Sequence, residues 1–206
     1  MFYNRQRKNK EKTGKINMIE EHRSVQEDGT IDLLGIEHIK QGEYDTNAFI
    51  KTIIIGSSVQ TIGEWAFSVC ENLEEIIFEE PCQIKKLEYG CFDNCSNLRK
   101  IDLPSSIEEI DRCAVVYCPL ERVILRGLCR IGEGCFRMNA LIYLHIADSI
   151  QKLDENAFYQ NTDLPLYDSP CNIYIRPEFH DEIKRMFYGR AIEFIGNELE
   201  EGYVLK

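Results

Sequence analysis

Residues 66–90 read AFSVCENLEEIIFEEPCQIKKLEYG, and residues 91–110, which read CFDNCSNLRKIDLPSSIEEI, repeat the same pattern. Ala66-Phe67 aligns with Cys91-Phe92 at the start of each copy. Self-similarity at a period of 20–50 residues is the signature of a repeat architecture, in which each unit buries its apolar face against the next. Such an architecture predicts a protein that acts by binding, and it leaves the bound molecule undefined.

The repeat extends in both directions from this stretch. A strand-like LxxIxL segment follows most copies, as in Leu98, Ile101 and Leu103, and a turn and a second apolar pair come next. The two-residue signature that opens each copy lies at Ala48-Phe49, Ala66-Phe67, Cys91-Phe92, Ala114-Val115, Cys135-Phe136 and Ala157-Phe158, at intervals of 18, 25, 23, 21 and 22 residues.

Each unit combines two kinds of spacing. The last two apolar residues of LxxIxL are two positions apart, so they point to the same side of a strand. In AFxxC the apolar residues lie at i, i+1 and i+4, which predicts one helical turn. Because a one-sided strand cannot bury its apolar face alone, the units are expected to stack in parallel, about 4.8 Å apart. The sequence therefore predicts an α/β solenoid with a parallel β-sheet on one face and short helical turns on another.

The pattern AFxxCxxLxxIxLPxxIxxI, nearly complete in residues 91–110, resembles the BspA-like, Treponema pallidum-type leucine-rich repeats. The resemblance covers roughly residues 30–195 and implies a right-handed leucine-rich-repeat coil. It also implies a binding function, which is surface adhesion to host or matrix proteins in some members and unassigned intracellular binding in others. The chain departs from the pattern where Val115 replaces Phe, where Asn139 and Asn161 replace Cys, and where Pro104 alone keeps the proline after the strand.

Three regions are predicted along the chain. Residues 1–28 form a basic, flexible leader, residues 29–176 the solenoid, and residues 177–206 a cap that covers the last open repeat. In the cap, Phe179, Ile183 and Phe187 have helical spacing, which predicts a helix over about residues 178–188. Further strands are predicted at residues 30–34, 171–175 and 191–195.

The net charge and the hydropathy of the chain limit the classes of molecule that we expect it to bind. The net charge is −11, yet residues 1–15 carry +5, so the remainder carries −16. An acidic body disfavours nucleic acid and anionic membranes. The basic segment also fits an RNA-contacting or nuclear-import arm, and a shift assay with RNA or DNA would test that alternative. We expect no membrane insertion, no signal peptide and a cytoplasmic location, with the cell surface as the alternative that the family resemblance implies.

Nine cysteines, an odd number, favour reduced and mostly buried thiols over a disulfide scaffold. Cys91 and Cys95 form a CxxxC pair, but no second pair of ligands follows at zinc spacing. None of the four histidines lies in a nucleophile motif. We therefore expect a protein without catalysis or cofactor. The alternative is a cysteine-dependent enzyme or a zinc protein, which would need an accessible thiol of low pKa or converging cysteine ligands.

The exposed face of the sheet is the predicted binding site. The residues that point outward from successive strands form columns, and neighbours in a column can pair. Three isoleucines near a tyrosine and flanking arginines give an apolar stripe with a charged rim, which is typical of a protein interface. The alternatives are solvated strand residues, or a stripe covered by residues 1–30. We expect a monomer whose candidate protein-binding residues are Ile54, Glu75, Ile77, Lys100, Asp102, Arg122, Ile124, Arg126, Tyr143 and His145.

Overall fold

A computed structural model describes residues 24–159 and 170–196 of the chain. The predicted leader lies mostly outside this part, as do Asn161 and the segment around it. The described residues form a solenoid of stacked repeats, in which every strand pairs in parallel. The long strands lie at Thr30–Asp32 (β1), Thr52–Ile55 (β3), Glu75–Phe78 (β5), Lys100–Leu103 (β7), Arg122–Leu125 (β9), Tyr143–Ile146 (β11), Cys171–Tyr174 (β13) and Ile192–Phe194 (β14).

A second set of strands, each two residues long, forms another side of the solenoid. Each of these strands ends on the second residue of an apolar pair, such as Ile62 after Val59 or Leu87 after Ile84, and the sequence pattern had placed these pairs after a turn. They form one continuous six-stranded ladder, so the solenoid has two strand-bearing sides. They lie at His38–Ile39 (β2), Thr61–Ile62 (β4), Lys86–Leu87 (β6), Glu109–Ile110 (β8), Arg130–Ile131 (β10) and Lys152–Leu153 (β12).

The long strands form two sheets instead of one. The first sheet has the order β1-β3-β5 and the second the order β7-β9-β11-β13-β14. β5 and β7, both within the described part of the chain, are not paired, although β6 and β8 pair in register next to them. Between β5 and β7, the repeats are therefore joined through the two-residue strands but not through the long strands.

The AFxxC segments form a third side, and the predicted helical turn is wrong there. The backbone N–H groups of Trp65, Phe67 and Val69 donate to carbonyls of the next repeat, at 3.0, 2.9 and 2.8 Å. Those of Ala66 and Ser68 close turns within their own repeat. Donors that alternate between the next repeat and the same repeat cannot make the successive i to i−4 bonds of a helix.

This alternation requires left-handed backbone at two positions of each turn. Trp65 has φ of +58° and Val69 has φ of +55°, and the same two positions are left-handed in the neighbouring repeats, as at Gly90 and Asn94. Left-handed backbone is unusual for a β-branched residue such as Val69. The inter-repeat hydrogen bonds therefore hold the turn in a conformation that the isolated segment would not favour.

A column of stacked aromatic rings runs through the core. It shows that the position predicted for the ring of the first repeat must be corrected. Tyr44 stacks on Phe67, and Phe67 stacks on Phe92, with ring centroids 5.1 and 5.5 Å apart. Tyr44 therefore fills the position that the sequence pattern had assigned to Phe49, which is instead 77% exposed. The predicted signature Ala48-Phe49 is wrong, because Tyr44 takes the ring position and Phe49 lies in the connection between Tyr44 and β3.

A column of side-chain donors runs beside the aromatic rings. The Cys95 thiol donates to the Phe67 carbonyl at 3.3 Å, and the Cys118 thiol donates to the Phe92 carbonyl at 3.2 Å. Asn139 continues the column, since its amide donates to the Val115 carbonyl at 3.0 Å. The position thus needs a small side chain that can donate a hydrogen bond, which explains why Asn can replace Cys.

The C-terminal cap closes the last repeat. A 3-10 turn at Pro177–Phe179 leads into a helix at His180–Met186 (α1), and β14 then pairs with β13. Ile183 and Phe187 are buried, and the Phe187 ring stacks on Phe158 at 6.0 Å. The predicted helix and terminal strand are confirmed, and the helix extends the aromatic column by one ring.

Candidate functional site

The predicted columns of outward residues are present on the long strands. Thr52 pairs with Glu75, and Asp102 pairs with Ile124, which in turn pairs with His145. The columns are interrupted between β5 and β7, where backbone pairing is missing. The register inferred from the LxxIxL segments is therefore confirmed within each sheet.

The predicted exposure of four of these residues is wrong. Ile54 is 9% exposed and Ile124 is 4% exposed, while Tyr143 and His145 are also buried. Part of the reason lies in the column itself, because the His145 ring stacks on Tyr174 with centroids 4.7 Å apart. Bulky outward side chains on adjacent strands shield one another, which a strand-by-strand reading of the sequence does not capture.

The Arg122 side chain also lies against a buried ring, that of Tyr143. Its guanidinium lies 4.4 Å from the centroid of the Tyr143 ring, an arrangement that favours a cation–π contact. The side chain is half-buried. Arg122 therefore belongs with the covered end of the sheet, and it is removed from the candidate binding surface together with Ile54, Ile124, Tyr143 and His145.

The remaining five residues form a compact surface at the junction of the two sheets, which we call the mid-sheet patch. Ile77, on β5, is 41% exposed. Lys100, Asp102 and Arg126 are exposed, and Glu75 is half-buried. The structure thus brings together one apolar side chain and four charged ones from β5, from β7 and from the residue that directly follows β9.

The charges of the mid-sheet patch are paired across strands. The Lys100 ammonium lies 3.1 Å from a Glu75 carboxylate oxygen and spans the gap between β5 and β7. Arg126 donates two hydrogen bonds to Asp102, at 2.9 and 2.8 Å, and these bonds raise the pKa of the guanidinium. A bidentate pair holds both side chains in a defined geometry. The charged part of the patch is therefore preorganised before any partner arrives.

A charge network on the second strand-bearing side was not foreseen. Lys86 lies 2.8 Å from Asp111, and Arg130 bridges Glu109 and Asp154 at 3.2 and 3.1 Å. The signal was present in the sequence, because opposite charges occupy equivalent positions of neighbouring repeats. These pairs link adjacent repeats, so we assign them to stability.

A half-buried aromatic pair on the turn side was also missed. Trp65 lies edge-on to Tyr89 with centroids 4.6 Å apart, and the Arg112 guanidinium lies 5.0 Å from the Tyr89 centroid. Trp65 lies over Gly90, where a Cβ atom would come within 2.5 Å of the indole ring. This contact explains why Gly occupies that turn position in the next repeat.

A groove of about 430 Å³ lies near the start of the first sheet, beside Phe49. Val25, Glu27, Gly29 and Lys51 contribute to its lining. No catalytic pair of residues or nucleophile lines it, so it offers a small apolar surface without a reaction centre.

In the described ranges 24–159 and 170–196, no three His, Cys, Asp or Glu side chains are grouped so that they could hold a metal ion.

Burial raises the pKa of the Cys70 thiol to about 11 and that of Cys171 to about 12. Burial also raises the pKa of the half-buried Cys113. A nucleophilic cysteine needs the opposite shift.

A profile of the BspA type leucine rich repeat region matches residues 37–165 in six copies. The chain belongs to the BspA-type leucine-rich repeat family. No curated protein matches the chain. None of its described helices is long and apolar enough to cross a membrane.

The chain is similar in structure to proteins whose structures are solved, and PcpA shares its fold. The pneumococcal vaccine antigen PcpA matches with a TM-score of 0.58 and 15% identity over 84% of this chain and 45% of PcpA. A leucine rich cell surface protein of Faecalibacterium prausnitzii matches with a TM-score of 0.47 and 20% identity over 79% of this chain and 52% of that protein. The BspA-type chain thus spans about half the length of these relatives.

Proposed function

We propose that this BspA-type chain is a non-catalytic interaction module that binds a protein through the mid-sheet patch. The observation that carries the proposal is the exposed Ile77 on β5, which has two cross-strand ion pairs next to it at the junction of the sheets. An exposed apolar residue with a preorganised charged rim resembles the centre and rim of protein interfaces. A rigid surface also lowers the entropy lost on binding.

Site-specific photo-crosslinking in the native host tests this function. A photoreactive phenylalanine analogue replaces Ile77 in one variant and the exposed Phe49 in a control variant. We expect a discrete protein adduct from position 77 that position 49 does not give. If position 77 gives no adduct, or if both positions give the same adducts, the mid-sheet patch is not the binding surface.

We further propose a reducing compartment, such as the cytoplasm, for this chain. Cys95 and Cys118 act as hydrogen-bond donors in the core, a role that requires free thiols. The alternative is a surface adhesin, and the relative from Faecalibacterium prausnitzii is described as a cell surface protein. To test the proposal, the protein is isolated under acid quench, its thiols are alkylated, and its intact mass is measured. Nine alkylated thiols are expected, and any disulfide between repeats would contradict it.

A further inference from the structure

The gap between β5 and β7 has a cause in the sequence. Pro104 directly follows β7, and proline has no backbone N–H to donate to the preceding repeat. At the equivalent position of the repeat before, Glu79 donates to the Ile55 carbonyl at 2.9 Å. The connection after β5 is also longer than its counterparts, since Ile84 follows Phe78 by six residues whereas Ile107 follows Leu103 by four.

The gap leaves apolar surface on both faces of β5. Ile76 and Phe78 point toward the core but are only half-buried, whereas the equivalent Ile101 and Leu103 are 3% and 0% exposed. Ile77 points outward and is exposed. β5 therefore has three consecutive apolar side chains that are at least partly accessible, and the outward Ile77 is the most exposed of them.

The ends of β5 are strongly acidic. Residues 71–80 contain five glutamates and no basic residue. Glu71 and Glu74 precede the strand, Glu80 follows it, and all three are exposed. Glu75 already has Lys100 as its partner, so the excess negative charge lies at the two ends of the apolar segment.

We propose that the partner contributes an extended segment with basic residues on both sides of a short apolar centre, and that this segment lies along β5. The inference rests on the proposed function and names the chemistry of its partner. Four residues of strand span about 13 Å, which sets the separation of the two basic ends. Opposite charges at both ends fix the register of the segment and accelerate its association.

Fluorescence anisotropy with three labelled peptides tests this partner chemistry on the full chain. The peptides KKGVIVGKK, SSGVIVGSS and EEGVIVGEE share one apolar centre and differ only in charge. We expect the basic peptide to bind at least about tenfold more tightly than the neutral one, with an affinity that falls as salt rises. The acidic peptide is expected not to bind.

Two matched variants locate the contact. Glu71→Gln/Glu74→Gln/Glu80→Gln is expected to weaken binding of the basic peptide about tenfold, because it removes three exposed carboxylates around β5. Glu108→Gln/Glu133→Gln/Glu155→Gln removes the same charge from exposed positions outside the long strands and is expected to leave binding unchanged. Equal losses in both variants would mean that the peptide senses only net charge, which overturns the inference.

The remaining outcomes separate this inference from the proposed function. If the neutral peptide binds as tightly as the basic one and Ile77→Ser abolishes both, the patch is a binding surface but the basic partner is wrong. If the basic peptide binds only after Arg5→Gln/Arg7→Gln/Lys8→Gln, the chain's own basic N-terminal segment is the occupant and an external partner is excluded. Failure of all three peptides also overturns the inference, whereas crosslinking at position 77 tests the proposed function independently.

Discussion

At the scale of single residues, two columns of side chains link the repeats through the core. Aromatic rings stack from Tyr44 to Phe92 and again from Phe136 to Phe187, and Val115 separates the two groups. The neighbouring column of Cys and Asn donors satisfies backbone carbonyls that the turn leaves without an N–H partner. Four successive repeats thus contribute a polar contact of this kind, at Cys70, Cys95, Cys118 and Asn139.

Phe92→Ala is expected to destabilise the protein by about 3–5 kcal/mol, because it removes a fully buried ring from the stack on Phe67. Denaturant unfolding measures the change. Phe49→Ala is the matched control, since the exposed ring should contribute less than about 0.5 kcal/mol. A loss below about 1 kcal/mol for Phe92→Ala would contradict the stacking.

Asn139→Ala is expected to cost about 2–4 kcal/mol, because two buried backbone groups lose their partners at once. The amide donates to the Val115 carbonyl at 3.0 Å and accepts from the Leu120 N–H at 3.2 Å. Cys118→Ala removes only a weak thiol donor and should cost less. Thermal and chemical unfolding of both variants measure the two losses, and a loss below about 1 kcal/mol for Asn139→Ala would contradict the role of the donor column.

At the scale of elements, the three sides of the solenoid have different hydrogen-bond patterns. The long strands and the two-residue strands pair as parallel ladders, whereas the turn side alternates bonds within and between repeats. The two-residue strands also carry ion pairs that connect neighbouring repeats. Loss of backbone pairing between β5 and β7 is tolerated because the other two sides stay continuous there.

Stability should fall as pH is lowered from about 5 to about 2, because carboxylates of the charge network must then be protonated. Burial disfavours the charged form of Asp154, but hydrogen bonds from Lys152 and Arg130 outweigh it and lower the pKa of the carboxyl group. A depressed folded-state pKa stabilises the protein above the unfolded value of about 3.9, and this contribution is lost as pH falls through the folded value.

The variant Asp154→Asn should therefore show a shallower dependence of unfolding free energy on pH. Asp181→Asn, at an exposed position on α1, serves as the control and should keep the wild-type slope. Urea unfolding at a series of pH values measures both. An unchanged slope in Asp154→Asn would mean that the ion pairs with Lys152 and Arg130 do not contribute.

At the scale of the whole molecule, the solenoid buries most of its thiols and leaves the mid-sheet patch, the proposed binding surface, accessible. Six cysteines are buried, and Cys82, Cys113 and Cys129 are half-buried. The outward face of the second sheet is covered at Ile124, Tyr143 and His145. The mid-sheet patch, at the junction of the two sheets, keeps an exposed apolar residue, Ile77 of the first sheet.

Native alkylation at pH 8 should modify at most three of the nine thiols quickly, and denaturant should expose all nine. The physical reason is burial, which both blocks access and raises the thiol pKa, as at Cys70. Mass spectrometry after timed labelling identifies the modified positions. Rapid modification of a buried cysteine such as Cys95 would contradict the fold and favour a reactive thiol.

Much of this architecture was predictable because repeats carry the same signal several times. The period, the inward pair of each long strand, the register of the outward columns and the capping helix follow from apolar spacing alone. A position that is apolar in five successive repeats has one shared physical cause, namely burial between parallel units. The sequence by itself therefore determined the stacking of the chain and the identity of most core residues.

Tertiary structure decided the features that local apolar spacing does not determine, namely the turn conformation, the ring position of the first repeat and the exposure of outward side chains. AFxxC has the spacing of a helical turn, but its N–H groups find carbonyls in the next repeat, so the turn is left-handed at Val69 instead. Phe49 matches the signature, yet Tyr44 stacks on Phe67 and excludes it. Exposure of Ile77 and burial of Ile124 depend on which strands pair and which side chains stack beside them. Those are contacts between repeats, and they form only when the repeats stack on one another.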